Sequence, residues 1–449
     1  MSNFNNNFIT NELKRINPWW DNPSFFAENI HLSKRNIFDF IYEKLINNDL
    51  IIAVVGLRRV GKTTLLKQLI NELLLKTKNR KTIAYFSFEE IILKNNPEVL
   101  EKIILYQLKN HPNEKLYFFF DEVQYVDGWN SILKKYFDQY SSQLKFIVSG
   151  SSSLFIKTQA RESLAGRILE YQLAPLSYSE YLKINENLIF PQENIFEINK
   201  LIDYQTILEE KFFEYLNYGE FPYLKKLENY NDKKQYLLDW VLGKTFEIDL
   251  PKLKKIYHLD ELINLGKTAI IGSGQLIQMQ NLASDLGVDR KTLADYLNLL
   301  EKSYLIKTIY NLTGSFRSKS LRQRKIYSSS VNAVAFYNTS GVNSESFELK
   351  LGQLVETFVL NYLLKINSAE VYFFKQRDKE IDFILKLPDR IIPIEVKFQN
   401  QIKNIDLKNL IYFCQKKNLK EAIVITKNLF EKKEIKNILF RFLPAYFLI

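Results

Sequence analysis

Cysteine, histidine and glycine are all in short supply. The 449-residue chain holds one cysteine, Cys414, and three histidines, His31, His111 and His258, spread far apart. A single thiol forms no intrachain disulfide, and scattered histidines build no Cys/His metal cluster, so a disulfide scaffold and a zinc-ribbon fold are both excluded. A reducing cytoplasm is the simplest compartment for such a chain. No stretch reaches about 18 uninterrupted apolar residues. Met1 to Asn7 is polar and asparagine-rich, where a signal peptide needs a basic start and an apolar run. No membrane span or export signal is expected. Glycine totals only 14, so glycines gathered at a fixed spacing carry information.

What the chain does have is the balance of a globular protein, with 46% hydrophobic and 25% charged residues. Its net charge of +11 favours anionic partners: nucleic acid, nucleotide phosphates or an acidic membrane surface. At about 150 residues per domain the length allows about three domains. Residues 1–30 form an arm whose Pro18-Trp19-Trp20-Asp21-Asn22-Pro23 segment is expected to dock by its tryptophans. Across 31–184, apolar runs at Leu50 to Val55, Thr82 to Phe88, Leu116 to Phe120 and Leu144 to Val148 alternate with helical spacing, which implies a parallel sheet with crossovers. Residues 185–274 read as mostly helical, interrupted at Gly219-Glu220-Phe221-Pro222. Residues 275–330 read as helix, turn, helix and strand, and 345–449 as a second α/β unit. The lysine-rich stretch 427–436 reads as a solvated helix face rather than a binding tail.

The glycines point to one place. Gly56-Leu57-Arg58-Arg59-Val60-Gly61-Lys62-Thr63 satisfies G-x-x-x-x-G-K-[ST]. Gly56 and Gly61 permit backbone conformations that aim N–H groups at phosphate oxygens, and the following helix adds its positive dipole end. Lys62 is placed for the β- and γ-phosphates of ATP and the Thr63 hydroxyl for Mg²⁺, with Arg58, Arg59 and Thr64 around them. The partner acid stands at the end of the run Leu116-Tyr117-Phe118-Phe119-Phe120: Asp121 fits the Mg²⁺-orienting carboxylate and Glu122 the group that polarises a water. Ser149, ending another strand before Gly150-Ser151-Ser152-Ser153, is a candidate sensor of the γ-phosphate. Arg161 and Arg167 are candidates for a finger reaching a neighbouring subunit's nucleotide, which makes a homo-oligomer a candidate assembly; a surface salt bridge is the alternative for Arg167.

Two further patterns lie downstream. Residues 281–297 have the form of a helix, a turn at Gly287 and a second helix capped by Asp289. Arg290 and Lys291 open that second helix, and Arg317, Lys319, Arg322, Arg324 and Lys325 crowd the loop before Ile326. This suits a helix-turn-helix with a basic wing on DNA, through phosphates more than bases; a packing or protein-contact role is the alternative. Further on, Asp382 lies on one strand and Glu395 and Lys397 on the next, with Glu356 on the preceding helix. Two carboxylates and a lysine are the layout of metal-dependent phosphodiester cleavage, with Mg²⁺ or Mn²⁺ as a candidate second metal, and a structural charge network is the alternative.

Taken together, the phosphate loop with Arg58-Arg59, Phe120-Asp121-Glu122-Val123-Gln124, Ser149-Gly150-Ser151, and Leu164-Ala165-Gly166-Arg167 followed by Leu173-Ala174-Pro175-Leu176-Ser177-Tyr178 resemble a family of bacterial and archaeal AAA+-type ATPases. Members carry a winged helix and a C-terminal domain of the PD-(D/E)xK, restriction-endonuclease-like fold. The resemblance implies an α/β protein: a P-loop parallel sheet, a helical and winged-helix middle, and a nuclease-like α/β end. It implies ATP hydrolysis through Lys62, Thr63, Asp121 and Glu122, with Ser149 as sensor and Arg167 as finger, and it matches Asp382, Glu395, Lys397 and Glu356 to the nuclease-like core. Glu220 departs from the family's Gly-Gly-Phe-Pro motif, which puts the turn there in question.

Overall fold

The computed structural model describes residues 6–22, 24–26, 33–89, 97–150, 164–191, 193–253, 256–312, 323–338 and 344–449. The chain divides into two compact units, Met1–Ala174 with Glu247–Lys255, and Pro175–Phe246 with Ile256–Ile449.

In the first unit, β1 (Ile51–Val55), β2 (Ile83–Ser87), β3 (Leu116–Asp121), β4 (Leu144–Gly150) and β5 (Ile168–Gln172) form an all-parallel sheet in the order β2-β3-β4-β1-β5. Every residue of β1 is buried, as a strand covered on both faces requires. Helix Lys62–Lys76 buries Leu65, Leu66, Leu69, Ile70, Leu73 and Leu74 at three- and four-residue spacing. The chain crosses from β1 to the far edge and works back, so the carboxyl ends of β1, β4 and β3 lie side by side, where open α/β sheets bind ligands.

β2 is an edge strand, with outward N–H and C=O groups that need partners. The N-terminal arm supplies them. Asn17 Nδ2 donates to the Tyr85 carbonyl at 3.0 Å and Asn17 Oδ1 accepts from the Tyr85 N–H at 2.6 Å, as a neighbouring strand would. The Trp19 and Trp20 indoles both donate to the Ile83 carbonyl, at 3.1 and 2.8 Å. β5, at the opposite edge, is half-buried along its whole length; lacking a continuous apolar run, it gave no strand signal in the sequence.

The second unit holds two sheets. β6 (Gln275–Ile277), β7 (Ile306–Tyr310) and β8 (Arg324–Ser328) pair antiparallel in the order β6-β8-β7. Helix Leu259–Ile271 precedes β6, and helices Met279–Asp285 and Arg290–Lys302 lie between β6 and β7. β9 (Glu370–Gln376), β10 (Lys379–Lys386), β11 (Ile391–Lys397), β12 (Glu421–Thr426), β13 (Glu431–Ile435) and β14 (Ile438–Pro444) form a mixed sheet in the order β13-β14-β12-β11-β10-β9. Helix Lys408–Lys417 covers it through Leu410, Phe413 and Cys414, which join Ile381, Ile384, Val424 and Phe440 in the core. Asn311, after β7, bonds both the N–H and the carbonyl of Lys375 on β9, which ties the two sheets together.

Two expectations change. The 427–436 stretch is not a helix face: Glu431–Ile435 is an exposed edge strand paired with β14 through a two-residue turn. Lys436 and Asn437 take φ of 51° and 59° there, the conformation of a tight hairpin turn, and the lysines blunt the edge. At Gly219-Glu220, a Cβ on Gly219 would meet the Tyr215 Cα at 2.6 Å, so glycine is needed for close packing. The Glu220 carboxylate is buried and accepts from Ser330 Oγ and, at 3.0 Å, from the Asn332 N–H, capping helix Val331–Asn338. The second glycine is thus replaced by a helix cap.

Candidate functional site

Beyond Val55 the chain turns through the glycine loop into helix Lys62–Lys76. A Cβ at Gly56 would stand 2.2 Å from the Leu173 carbonyl oxygen, so only glycine passes there. Gly61 (φ 102°) precedes the helix, and Arg59, exposed at the loop, takes φ 64°. Lys62 is buried and its Nζ donates to the carbonyls of Leu57 at 3.0 Å and Gly56 at 3.3 Å, with Glu122 Oε1 3.8 Å away. Thr64 follows, half-buried, on the same helix.

Asp121 gathers hydroxyls. Thr63 Oγ1 donates to its Oδ2 at 2.6 Å, the Tyr85 hydroxyl donates to the same oxygen at 3.0 Å, and Ser149 Oγ donates to Oδ1. Ser149 Oγ also accepts from the Glu122 N–H at 3.1 Å. Glu122 has φ 55°, a turn that separates its side chain from Asp121, and its carboxylate accepts from Gln124 Nε2. Burial raises the Glu122 pKa, opposed by Lys62 and reinforced by the Asp121 charge. The ends of β1, β3 and β4 therefore bring Lys62, Thr63, Asp121, Glu122 and Ser149 into one network. The Thr63 hydroxyl and Asp121 carboxylate are hard oxygen donors side by side, a fit for Mg²⁺.

Arg58 has partners that no local pattern announces. Its Nε and Nη2 each donate to Asp249 at 2.7 Å, and Nη2 also donates to the Tyr125 hydroxyl at 3.2 Å. Asp249 is buried and lies in the Glu247–Lys255 segment of the same unit. Arg35 braces the loop, donating to the carbonyls of Val60 and Ala174, both at 2.8 Å. Arg167 is not brought to this network: it stands at the amino end of β5, its carbonyl accepting from the Ile51 N–H, and its Nε is 2.6 Å from Asp138. Arg161 and Ser151 to Ser153 lie outside the described residues.

In the three-stranded region, Asp289 caps helix Arg290–Lys302 by accepting from the Lys291 and Thr292 N–H groups, and Arg290 and Lys291 are exposed at its start. Arg324 is half-buried, 5.8 Å from the Tyr310 ring. Arg317, Lys319 and Arg322 lie outside the described residues. Lys325 is a correction to the expected basic wing. It is 4% exposed, with Nζ 2.8 Å from Glu380 and 3.6 Å from Glu356, so it faces carboxylates rather than solvent.

The carboxylates are those picked out on the C-terminal strands. Pairing of Phe383 with Ile394 sets Asp382 beside Glu395, and a register shift against β9 falls between Ile381 and Ile384. Asp382 Oδ2 accepts from the Val396 N–H at 2.9 Å, Glu395 is 2.7 Å from Lys397, and Glu356 accepts from the Tyr327 hydroxyl at 2.7 Å. Burial first and the Asp382 charge second push Glu356 up to about 7 and Glu395 up to about 8, and burial raises Asp382 too. The Mg²⁺ or Mn²⁺ expected here does not fit this arrangement. Among the described residues no group of three or more His, Cys, Asp and Glu side chains is set to hold a metal ion. Each acid instead has a lysine, hydroxyl or backbone partner. No helix of the described residues is long and apolar enough to cross a membrane.

Comparison with known proteins matches three stretches of the chain. Residues 209–331 and 351–446 match two domains of unknown function (DUF8612 and DUF4143). An uncharacterized protein of Methanocaldococcus jannaschii is 29% identical over 413 residues, 85% of this chain and 82% of that one. An uncharacterized protein of Haemophilus influenzae is 25% identical over 405 residues, 87% of this chain and 92% of that one. A Walker-type ATPase of Pyrococcus abyssi aligns with TM-score 0.40 and 18% identity over 69% of this chain and 97% of that one. Residues 48–182 match the AAA domain family. This stretch, similar to the AAA domain family, is the one that carries the parallel sheet and the phosphate loop, and its fold is of the AAA-type P-loop kind.

Proposed function

We propose that the protein is a Mg²⁺-dependent ATPase whose nucleotide cycle is coupled to engagement of DNA. The observation that carries the first half is the single network of Thr63, Asp121, Ser149 and Glu122 beside Lys62. Lys62 leaves the Leu57 and Gly56 carbonyls for the β- and γ-phosphates. The Thr63 hydroxyl and the Asp121 carboxylate, the latter held by Tyr85 and Ser149, would hold the cation. Glu122 polarises the attacking water and Ser149 links that residue to Asp121. Mg²⁺, when bound, neutralises charge developing on the β- and γ-phosphate oxygens. Arg167 is a candidate finger toward a second copy of the chain, which requires release from Asp138.

The second half is supported by the order helix, strand, helix, helix, strand, strand over 259–328, the order of a winged helix, with Arg290, Lys291 and Arg324 and the sequence positions Arg317 and Arg322 supplying positive charge. Contacts of this kind read the phosphate backbone and weaken steeply with salt. For the C-terminal domain, of restriction-endonuclease-like type, the paired carboxylates favour a scaffold over a nuclease.

ATP turnover in Lys62→Ala and Glu122→Gln tests the reading: both should lose hydrolysis, Glu122→Gln while still binding ATP. Unchanged turnover in either overturns it. Salt-insensitive DNA affinity that ignores Arg290→Ala with Lys291→Ala removes the DNA half.

A further inference from the structure

The carboxylate cluster on β10 and β11 has an occupant contributed by another sheet. Lys325 rises from β8 with its side chain 5% exposed, 2.8 Å from Glu380 and 3.6 Å from Glu356. Tyr327, two residues on and on the same face of the strand, donates to Glu356 at 2.7 Å. The Phe373 ring, 5.7 Å from Lys325 Nζ, closes the seat. Burial alone would push the Lys325 pKa down, yet the Glu356 and Asp382 charges and the Glu380 hydrogen bond hold it above its ordinary value. The ammonium is fixed in its charged form by acids that include both Glu356 and Asp382.

A second, independent observation shows that the cluster is not satisfied even so. Glu395, 6% exposed, has Oε1 paired with Lys397 while Oε2 is buried with no hydrogen-bond partner. A buried carboxylate oxygen without a partner is costly, and a cation is what relieves it. A divalent ion entering now would meet the ammonium of Lys325 among the oxygens it needs.

We propose that Lys325 is the resident cation of this cluster, standing in place of a metal, and that the cluster takes up a divalent cation only when Lys325 is withdrawn. It accounts for a lysine standing among acids that match a metal-dependent layout in sequence. It also gives β8 a consequence for the C-terminal sheet: displacement of that strand exchanges a tethered monovalent charge for a site open to a free ion. The proposal does not rest on the nucleotide reading, because no residue of the phosphate loop takes part.

The test is Mn²⁺ alone, titrated into the full-length chain without nucleotide and followed by the loss of its free-ion paramagnetic resonance signal. Thr63→Ala in every sample silences the nucleotide site. Lys325→Met is expected to bind Mn²⁺ roughly tenfold or more tighter than the parent, added Asp382→Asn to cancel the gain, and Lys325→Arg to behave as the parent. Should Lys325→Met fail to fold by circular dichroism, Glu380→Gln, which removes the shorter ion pair at a partly exposed position, is expected to give a smaller gain that Asp382→Asn again cancels. Tight Mn²⁺ binding by the parent that Asp382→Asn abolishes overturns the proposal. So does the absence of any gain in both Lys325→Met and Glu380→Gln.

Discussion

Lys62 and Lys325 are both buried lysines beside carboxylates, and their surroundings set them to opposite tasks. Lys62 Nζ is held by two backbone carbonyls, at 3.0 and 3.3 Å, with one carboxylate at 3.8 Å. Lys325 is clamped between carboxylates at 2.8 and 3.6 Å. Neutral carbonyls release an ammonium to a phosphate at little electrostatic cost, whereas two carboxylates at ion-pair distance hold it in place. One site is poised to receive an anion, and the other is already neutralised.

The largest expected contrast is catalytic. Asp121→Asn should lower ATP turnover by about 10²-fold or more, while Asp382→Asn should leave it within about twofold, since the hydrogen bond that Asp382 accepts comes from Val396 and not from the nucleotide network. Steady-state phosphate release measures both, and equal losses would erase the distinction between the sites. Next comes the brace on the loop. Asp249→Ala leaves the Arg58 guanidinium with the Tyr125 hydroxyl as its hydrogen-bond partner among the described residues, and should destabilise the first unit by about 3 kcal/mol in urea unfolding. An unchanged midpoint would mean that Arg58 finds other partners.

A third buried lysine sharpens the comparison. Lys145 on β4 is fully buried, donates to the carbonyls of Asn48 and Leu50, and is pushed down by burial first, from 10.5 to about 8. Between those values the folded chain has released a proton that the unfolded chain keeps, so stability contributed by this group rises with pH from 8 toward 10.5. Below pH 8 its penalty is fully present. Relative to Lys145→Met, the wild-type chain should gain about 2–3 kcal/mol between pH 7.5 and 10.5; parallel pH profiles of the two proteins would contradict the assignment. The smallest effect is expected at Arg167. Its ion pair with Asp138 is partly exposed, so Arg167→Ala should cost under about 1 kcal/mol of stability. A large fall in turnover at unchanged stability would then mark a role in trans.

The nucleotide site was legible because its parts are local. Gly56 to Thr63 is one loop, and Asp121, Glu122 and Ser149 each end an apolar run that reads as a strand, so strand order alone brings them together. Asp249 and Tyr85 were not legible: one lies nearly 200 residues from Arg58, and the other is one tyrosine among 26. At the C-terminal end, Glu395 and Lys397 share a face by alternation and Asp382 joins them by register. Lys325 read instead as a solvent-facing wing residue, because burial of a charge depends on what another sheet places over it. β13 was misread for a related reason: its lysines signal solvent exposure equally well on a helix or on an edge strand, and only the pairing with β14 decides.

The docked N-terminal arm also gives the protein an optical property. Of the four tryptophans, Trp19, Trp20 and Trp129 are buried in the first unit, and Trp240, 54% exposed, belongs to the second. Blue-shifted, quencher-protected emission therefore reports on the sheet that carries the phosphate loop, and the red-shifted, quenchable remainder on Trp240. Peeling the arm from β2 frees two of the three protected indoles at once, so loss of the edge seal is visible as a fluorescence change without any added label.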